Sequence, residues 1–295
     1  MKFGIVCMDG FNEKVGDIAV EAEELGYDSI WFADHIGTLG MRDPWTTLSY
    51  IAAKTTRLKL GSAVCPITRY NPGHLATMIS NLDLLSNGRV VAGLGMGYQF
   101  YEFRNFTNEG VYDPPNVRFE KYEEALRLLL KLWTTPHPYP VNFNGKYYST
   151  MDAAVWPKCV QQPHPLIWQG GGRRKSLELT AKYFDGWFGP IFGTNAAYTA
   201  EIYEDKVKKI QKFAKEYNRD MSKFTFASWG TIYDAGITLE EIYGTPAMGA
   251  GMIFKMDKVE LIEQYKAAGC QCWLIASPFM QQFAKEIFPS FTQSH

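Results

Sequence analysis

Long apolar runs are missing from this chain of 295 residues. None approaches the roughly 20 residues that a membrane-crossing helix needs. An excess of one charge is missing too: the formal net charge is −1, so no overall field draws in nucleic acid or an anionic membrane. Cysteine is sparse and scattered, at Cys7, Cys65, Cys159, Cys270 and Cys272. Cys270 and Cys272 alternate along one strand-like stretch, so their side chains face opposite ways and do not pair. Met1 leads straight into the strand-like "KFGIV" without a leader pattern, and together these features predict a reduced, cytoplasmic protein. No HExxH, CxxC or P-loop lysine motif occurs, so metal sites and nucleoside-triphosphate chemistry lack their usual carriers. Repeats, low-complexity tracts and linkers are absent as well.

What remains is an apolar, ring-rich chain. Hydrophobic residues make up 46% and aromatics 15%, enough for a large core and a cleft lined with rings. Short apolar strands alternate with amphipathic helices. "KFGIVCM" (2–8), "YDSIWFADH" (27–35), "RLKLGSAV" (57–64), "GRVVAGLGMG" (88–97), "PLIWQGGG" (165–172), "DGWFGP" (185–190), "KFTFASWG" (223–230) and "CQCWLIASP" (270–278) read as eight strands. Between them the pattern predicts helices from Pro44 to Lys54, with Asp43 as N-cap, from Pro72 to Leu85, and over 117–133, 174–183 and 195–217. Gly26 stands where a helix-ending glycine belongs. Eight strand–helix units without a break in composition predict one α/β domain over 1–295, a (β/α)8 TIM barrel. The proline- and aromatic-rich stretch 135–163 contains the turn-forming Asn144-Gly145 and reads as an inserted hairpin. Residues 231–257 are rich in glycine and methionine and only weakly periodic, which suits a lid or a remodelled helix.

A barrel of this kind places its active site at the C-terminal ends of the strands. Those ends carry Asp34-His35, Ala63-Val64-Cys65, Gly95-Met96-Gly97-Tyr98, Gly170-Gly171-Gly172-Arg173, Trp187-Phe188-Gly189 and Ser228-Trp229-Gly230. His35 is the one histidine among them, and an imidazole exchanges a proton with a substrate oxygen near neutral pH. Its structural alternative is a histidine that merely holds the loop after Asp34. "GGGRR" (170–174) opens a helix after a strand, where backbone amides and a helix N-terminus suit a phosphate. Its alternative is a tight turn with no ligand. "GLGMG" (93–97) lacks the spacing of a dinucleotide loop and reads as room beside a ring system. Cys65 reads more readily as a small apolar filler than as a nucleophile. Trp31, Tyr98, Trp187 and Trp229 are candidate cleft residues, some of which must be core.

The segments "AEELGYDSIWFADH", "DPWTTLSYIAAKTTRLKLGSAV", "NPGHLATMISNLDLLSNGRVVAGLGMG", "RFEKYEEALRLLLKLW" and "HPLIWQGGGRRKSLELTAKYFDGW", taken in this order, carry a resemblance. The chain resembles the bacterial luciferase-like superfamily, and more closely its coenzyme F420 (deazaflavin)-dependent branch. The likeness covers residues 1 to about 190 well and 220–290 loosely. It implies a cofactor across the barrel mouth, bound by Asp34, Ala63, Val64, Cys65, Gly95, Gly97, Tyr98, Gly170, Gly171, Gly172 and Arg173. It also implies a non-prolyl cis peptide at Ala63-Val64, His35 as the catalytic acid or base, Trp187 and Trp229 lining the substrate site, and a homodimer. The expected activity is hydride transfer between F420 and a small organic substrate, with no metal. An FMN-dependent monooxygenase and a non-catalytic flavin-binding barrel are the alternatives. Some sugar-phosphate dehydrogenases of the branch carry a glutamate where this chain has Tyr98, and that departure counts against a sugar-phosphate substrate.

Overall fold

A computed structural model describes residues 1–7, 14–37, 41–189, 199–229 and 258–292. The elements run β1 (Lys2–Cys7), α1 (Val15–Glu24), β2 (Ser29–Phe32), α2 (Pro44–Ala52), β3 (Lys59–Ser62), β4 (Cys65–Pro66), α3 (Pro72–Leu85) and β5 (Val90–Gly95). Next come α4 (Phe100–Phe106), α5 (Pro115–Thr134), β6 (Val141–Asn144), β7 (Ser149–Ala153), β8 (Leu166–Gly170), α6 (Arg174–Tyr183), β9 (Gly186–Gly189) and α7 (Ala200–Glu216). The last are β10 (Thr225–Trp229), α8 (Lys258–Ala267), β11 (Cys272–Ala276), α9 (Met280–Glu286) and α10 (Phe288–Thr292). The alternation of parallel strands with helices, and the strand order, are those of a (β/α)8 TIM barrel.

The chain divides into two compact units, Met1–Trp31 with Trp168–His295, and Phe32–Ile167. In the first, β8, β9, β10, β11 and β1 pair in parallel in that order, with Trp168 opposite Gly186, Phe226 opposite Trp187 and Phe3 opposite Trp273. The strands are apolar on both faces because both are covered. Trp31, Trp168 and Phe188 form one aromatic cluster, with Trp31 5.1 Å from Trp168 and 4.8 Å from Phe188 between ring centres. Gly26 ends α1 at φ +90°, a conformation that glycine adopts without Cβ strain.

In the second unit β3 and β4 both pair with β5, Leu60 opposite Val90 and Cys65 opposite Leu94. The chain breaks register between β3 and β4, at Ala63-Val64, where the peptide bond is cis. Asp43 caps α2 by accepting from the Thr46 amide at 2.7 Å, and Asn71 caps α3 by accepting from Gly73 and His74 at 3.0 and 3.1 Å. Residues 135–163 do contain a hairpin, β6 against β7 in antiparallel register. Buried Asp83 on α3 fastens the segment between β7 and β8 by accepting from the Gln161 amide at 3.0 Å and from its side chain at 2.7 Å.

One expectation needs correction. The stretch between β5 and α5 is not simply a polar loop: it holds α4, whose Glu102 and Phe103 are buried. Two further helices, α9 and α10, come after the last strand. The expected lid at 231–257 lies outside the described residues. Among the described residues no helix is long and apolar enough to cross a membrane.

Candidate active site

A cluster of titratable side chains lies in the second unit, after the C-terminal ends of its strands. Asp34 and His35 lie just past β2. Arg69 closes a single 3-10 turn after β4 (Ile67–Arg69), and Tyr70 is the next residue. Glu102 lies in α4, beyond the end of β5. These pieces are tied locally: the Thr68 hydroxyl donates to the Met96 carbonyl at 3.0 Å. Gly97 takes φ +75°, where a Cβ would collide with the Phe103 ring at 2.6 Å. A glycine there lets α4 turn back toward His35.

His35 Nδ1 is 2.7 Å from Glu102 Oε1, and Arg69 Nη1 donates to the other Glu102 oxygen at 2.9 Å. The second guanidinium nitrogen of Arg69 bonds the Asp34 carboxylate, which also accepts from the Tyr70 hydroxyl at 2.8 Å. The Asp34, Arg69 and Glu102 side chains are 3%, 4% and 1% exposed, whereas His35 keeps 20%. His35 is thus the outer end of a buried polar chain. The two carboxyls of Asp34 and Glu102 share the one guanidinium of Arg69. Burial pushes the Asp34 carboxyl above its ordinary range, and Arg69, Tyr70 and Cys65 pull it part of the way back. Burial, and next the Asp34 charge, push the Cys65 thiol well up, so Cys65 is a neutral packing and hydrogen-bonding group.

Other expected site residues lie differently. Tyr98 packs edge-on to the His35 ring at 5.5 Å and is 62% exposed. Gly95 offers no open space: a Cβ there would meet Val64 Cγ2 at 2.7 Å. In the direction a Cβ would take, Gly95 and Gly97 face the protein's own Val64 and Phe103. Asp34 is buried with its oxygens engaged by Arg69 and Tyr70, so its contribution in the structure is to the polar chain.

In the first unit, Gly170, Gly171, Gly172 and Arg173 form the turn from β8 into α6. Gly171 takes φ +135°, and its carbonyl accepts from the Trp187 indole at 2.7 Å. Trp187 and Trp31 are fully buried, which puts them on the core side of the group Trp31, Tyr98, Trp187 and Trp229. Trp229 ends β10 and is half-buried. Arg173 is exposed and makes no side-chain capping bond at the α6 N-terminus. Among the described residues no group of three His, Cys, Asp or Glu side chains is gathered as for a metal.

Sequence reasoning missed Glu102, Arg69 and Tyr70. Arg69-Tyr70 stood in plain view as a cation beside a phenol just past an apolar strand. Glu102 had no such mark, because nothing in its surroundings announces a short helix.

Comparison with known proteins places these features in a lineage. Residues 1–235 match the model of the luciferase-like monooxygenase family. The chain is 34% identical over 206 residues to an F420-dependent glucose-6-phosphate dehydrogenase of Amycolatopsis mediterranei (strain U-32), a match covering 68% of this chain and 58% of that one. It is 37% identical over 172 residues to the enzyme of the same name from Kineococcus radiotolerans (strain ATCC BAA-149 / DSM 14245 / SRS30216), covering 54% and 47%. The chain therefore spans about half the length of the curated relatives it matches. Among solved structures, an F420-dependent secondary alcohol dehydrogenase in complex with an F420-acetone adduct superimposes with TM-score 0.77 at 20% identity, over 97% of this chain and 98% of that one. At that identity the superposition speaks to the fold. The family match extends from β1 through the whole second unit and beyond β10, and on that extent the chain belongs to the luciferase-like monooxygenase family.

Proposed function

We propose that the chain is a coenzyme F420-dependent oxidoreductase, with His35 as the group that takes or gives the proton on the substrate oxygen. The observation that carries this reading is the buried chain Asp34–Arg69–Glu102–His35, which ends in one part-exposed imidazole at the strand ends. The names of the relatives support the choice of cofactor.

The residues present suit such a cofactor. Coenzyme F420 carries a phosphate, and the turn Gly170 to Arg173 offers an anion a side-chain-free backbone, a helix N-terminus and the exposed guanidinium of Arg173. When bound, the deazaflavin supplies the acceptor or donor of hydride at its C5. The remaining chemistry belongs to the chain. Glu102 holds Nδ1 of His35, which fixes the ring and leaves Nε2 to meet the substrate. An alcohol gives its hydroxyl proton to Nε2 as hydride leaves the adjacent carbon. In the reverse direction Nε2 returns the proton to a carbonyl oxygen. Arg69 keeps the Glu102 carboxylate in place and offsets its charge against that of Asp34. Residues 1–295 working as one domain, a homodimer and a cytoplasmic location complete the proposal.

Fluorescence titration with F420 and with FMN tests the reading. Binding of F420 at least tenfold tighter than FMN is expected. FMN binding without F420 binding would overturn it.

A further inference from the structure

We infer that Arg118 is a positioning residue for the reaction at His35: it holds Tyr98 against the imidazole by way of the two carbonyls that flank that side chain. The inference deepens the proposed role of His35 and rests on it.

The need for such a residue comes from His35 itself. The bond to Glu102 at 2.7 Å holds the ring at Nδ1. A ring held at one atom still pivots about it, and Nε2 swings with the pivot. The second contact is Tyr98, edge-on with 5.5 Å between ring centres and 79° between planes. Aromatic pairs prefer this geometry, so Tyr98 opposes the pivot. Tyr98 is 62% exposed, so the packing of its own side chain does little to hold it. Its place depends on its backbone, and the residue before it is Gly97, at φ +75°, which carries no side chain to stiffen the turn.

Arg118 governs that backbone from both sides. It stands in the first turn of α5 and is buried. Its Nη1 donates to the Gly97 carbonyl at 2.6 Å, on the N-terminal side of Tyr98. On the C-terminal side, the Tyr98 carbonyl accepts from the Tyr112 hydroxyl at 2.8 Å. The centre of the Tyr112 ring lies 4.2 Å from the Arg118 guanidinium and 5.7 Å from the Phe103 ring. Nε of Arg118 donates to the carbonyl of Asp113, the residue after Tyr112, at 3.1 Å. One planar guanidinium therefore bonds two carbonyls and lies against a ring, a set of contacts that a lysine ammonium does not reproduce. The acceptors are main-chain dipoles, so Arg118 differs in kind from Arg69, which is spent on carboxylates. Lys121, one turn further along α5, ties down the same stretch by another route. Its Nζ pairs with the Glu109 and Asp113 carboxylates at 2.8 Å each.

The test is NMR of the His35 ring in the protein without cofactor, its signals assigned by their absence from His35→Asn. Tyr98→Leu should move the ring-proton shifts and, by relaxation at Cε1, make the ring more mobile. Arg118→Met should move them in the same direction, and Arg118→Lys should restore only part of the parental position. Arg118→Met combined with Tyr98→Leu should match Tyr98→Leu alone, because Arg118 acts through Tyr98. Lys121→Met should leave the signals in place. Tyr112→Phe removes only the hydroxyl bond to the Tyr98 carbonyl. It should move the signals part of the way, and it decides the matter if Arg118→Met does not fold. Parental His35 signals in Tyr98→Leu, in Tyr112→Phe or in a folded Arg118→Met would overturn the inference. So would a shift in Lys121→Met as large as that in Arg118→Met, or a double variant displaced beyond Tyr98→Leu. Failure of the parent protein to bind F420 would overturn the proposed cofactor and leave these results, obtained without it, standing.

Discussion

Glu102 bonds the His35 ring at 2.7 Å although 67 residues separate them, and it does so from a helix of seven residues. Its other oxygen is held by Arg69, so the carboxylate is fixed from both sides. Glu102 is therefore a positioning residue for His35. Glu102→Gln keeps the shape and removes the charge. Turnover of the folded enzyme should fall about 10- to 100-fold, the weight of one charge-assisted hydrogen bond. The kcat–pH profile should also change, which a purely structural role would not produce. An unchanged profile and rate would confine Glu102 to packing.

His35→Ala should lower kcat by about 10²–10⁴-fold under F420 saturation, the usual weight of a general acid or base. His35→Asn should recover only part of this, since a carboxamide donates a hydrogen bond but does not exchange its proton near neutrality. Full turnover in a folded alanine variant would remove His35 from the mechanism.

Arg69→Met strips the cation from between two buried carboxyls. Removing one partner of a buried ion pair costs about 3–5 kcal/mol, so unfolding should begin at distinctly lower denaturant concentration. Arg69→Met combined with Asp34→Asn and Glu102→Gln should recover part of the loss. A single variant as stable as the parent would show that the cluster is neutral without its guanidinium.

Gly95→Ala should destabilise by about 1–3 kcal/mol, because the new methyl meets Val64 Cγ2 at 2.7 Å. Val64→Ala in the same chain should relieve much of that. Additive effects of the two changes in a double-mutant cycle would refute the contact.

Gly171 is a poor probe of the phosphate turn: at φ +135°, and with a Cβ position 2.9 Å from the Ser176 hydroxyl, any side chain strains the fold itself. Arg173→Gln is the cleaner test. It should weaken F420 about tenfold by loss of a charged contact and leave stability within about 0.5 kcal/mol. Unchanged affinity would reduce "GGGRR" to a turn.

Burial raises the Cys159 thiol to about 11 and the Cys270 thiol to about 12, from an ordinary 9.0. A raised pKa means that the folded protein holds these protons more tightly than the unfolded chain. The contribution is complete below pH 9 and is lost as pH rises through 11 and 12. Denaturant midpoints should therefore fall across that window, and less steeply in Cys270→Ala. Alkylation of the native protein at pH 8 should be slow. Rapid alkylation of both thiols would contradict their burial.

The sequence by itself determined the barrel. Strand and helix periods depend on local spacing, and the caps Asp43 and Gly26 are local devices, so all of them were legible. His35 was legible because a titratable ring at the end of an apolar strand has few structural reasons to be there. The partners of His35 were decided by tertiary structure. Arg69 and Glu102 stand 34 and 67 residues beyond it, and only the folding of β4, β5 and α4 makes their charges one cluster. Tertiary structure also decided which small and large residues are site and which are core. A glycine makes room whether a ligand or Val64 fills it, and a tryptophan at a strand end has the same local pattern whether its indole faces a cleft or, like that of Trp187, is spent on a carbonyl inside the protein.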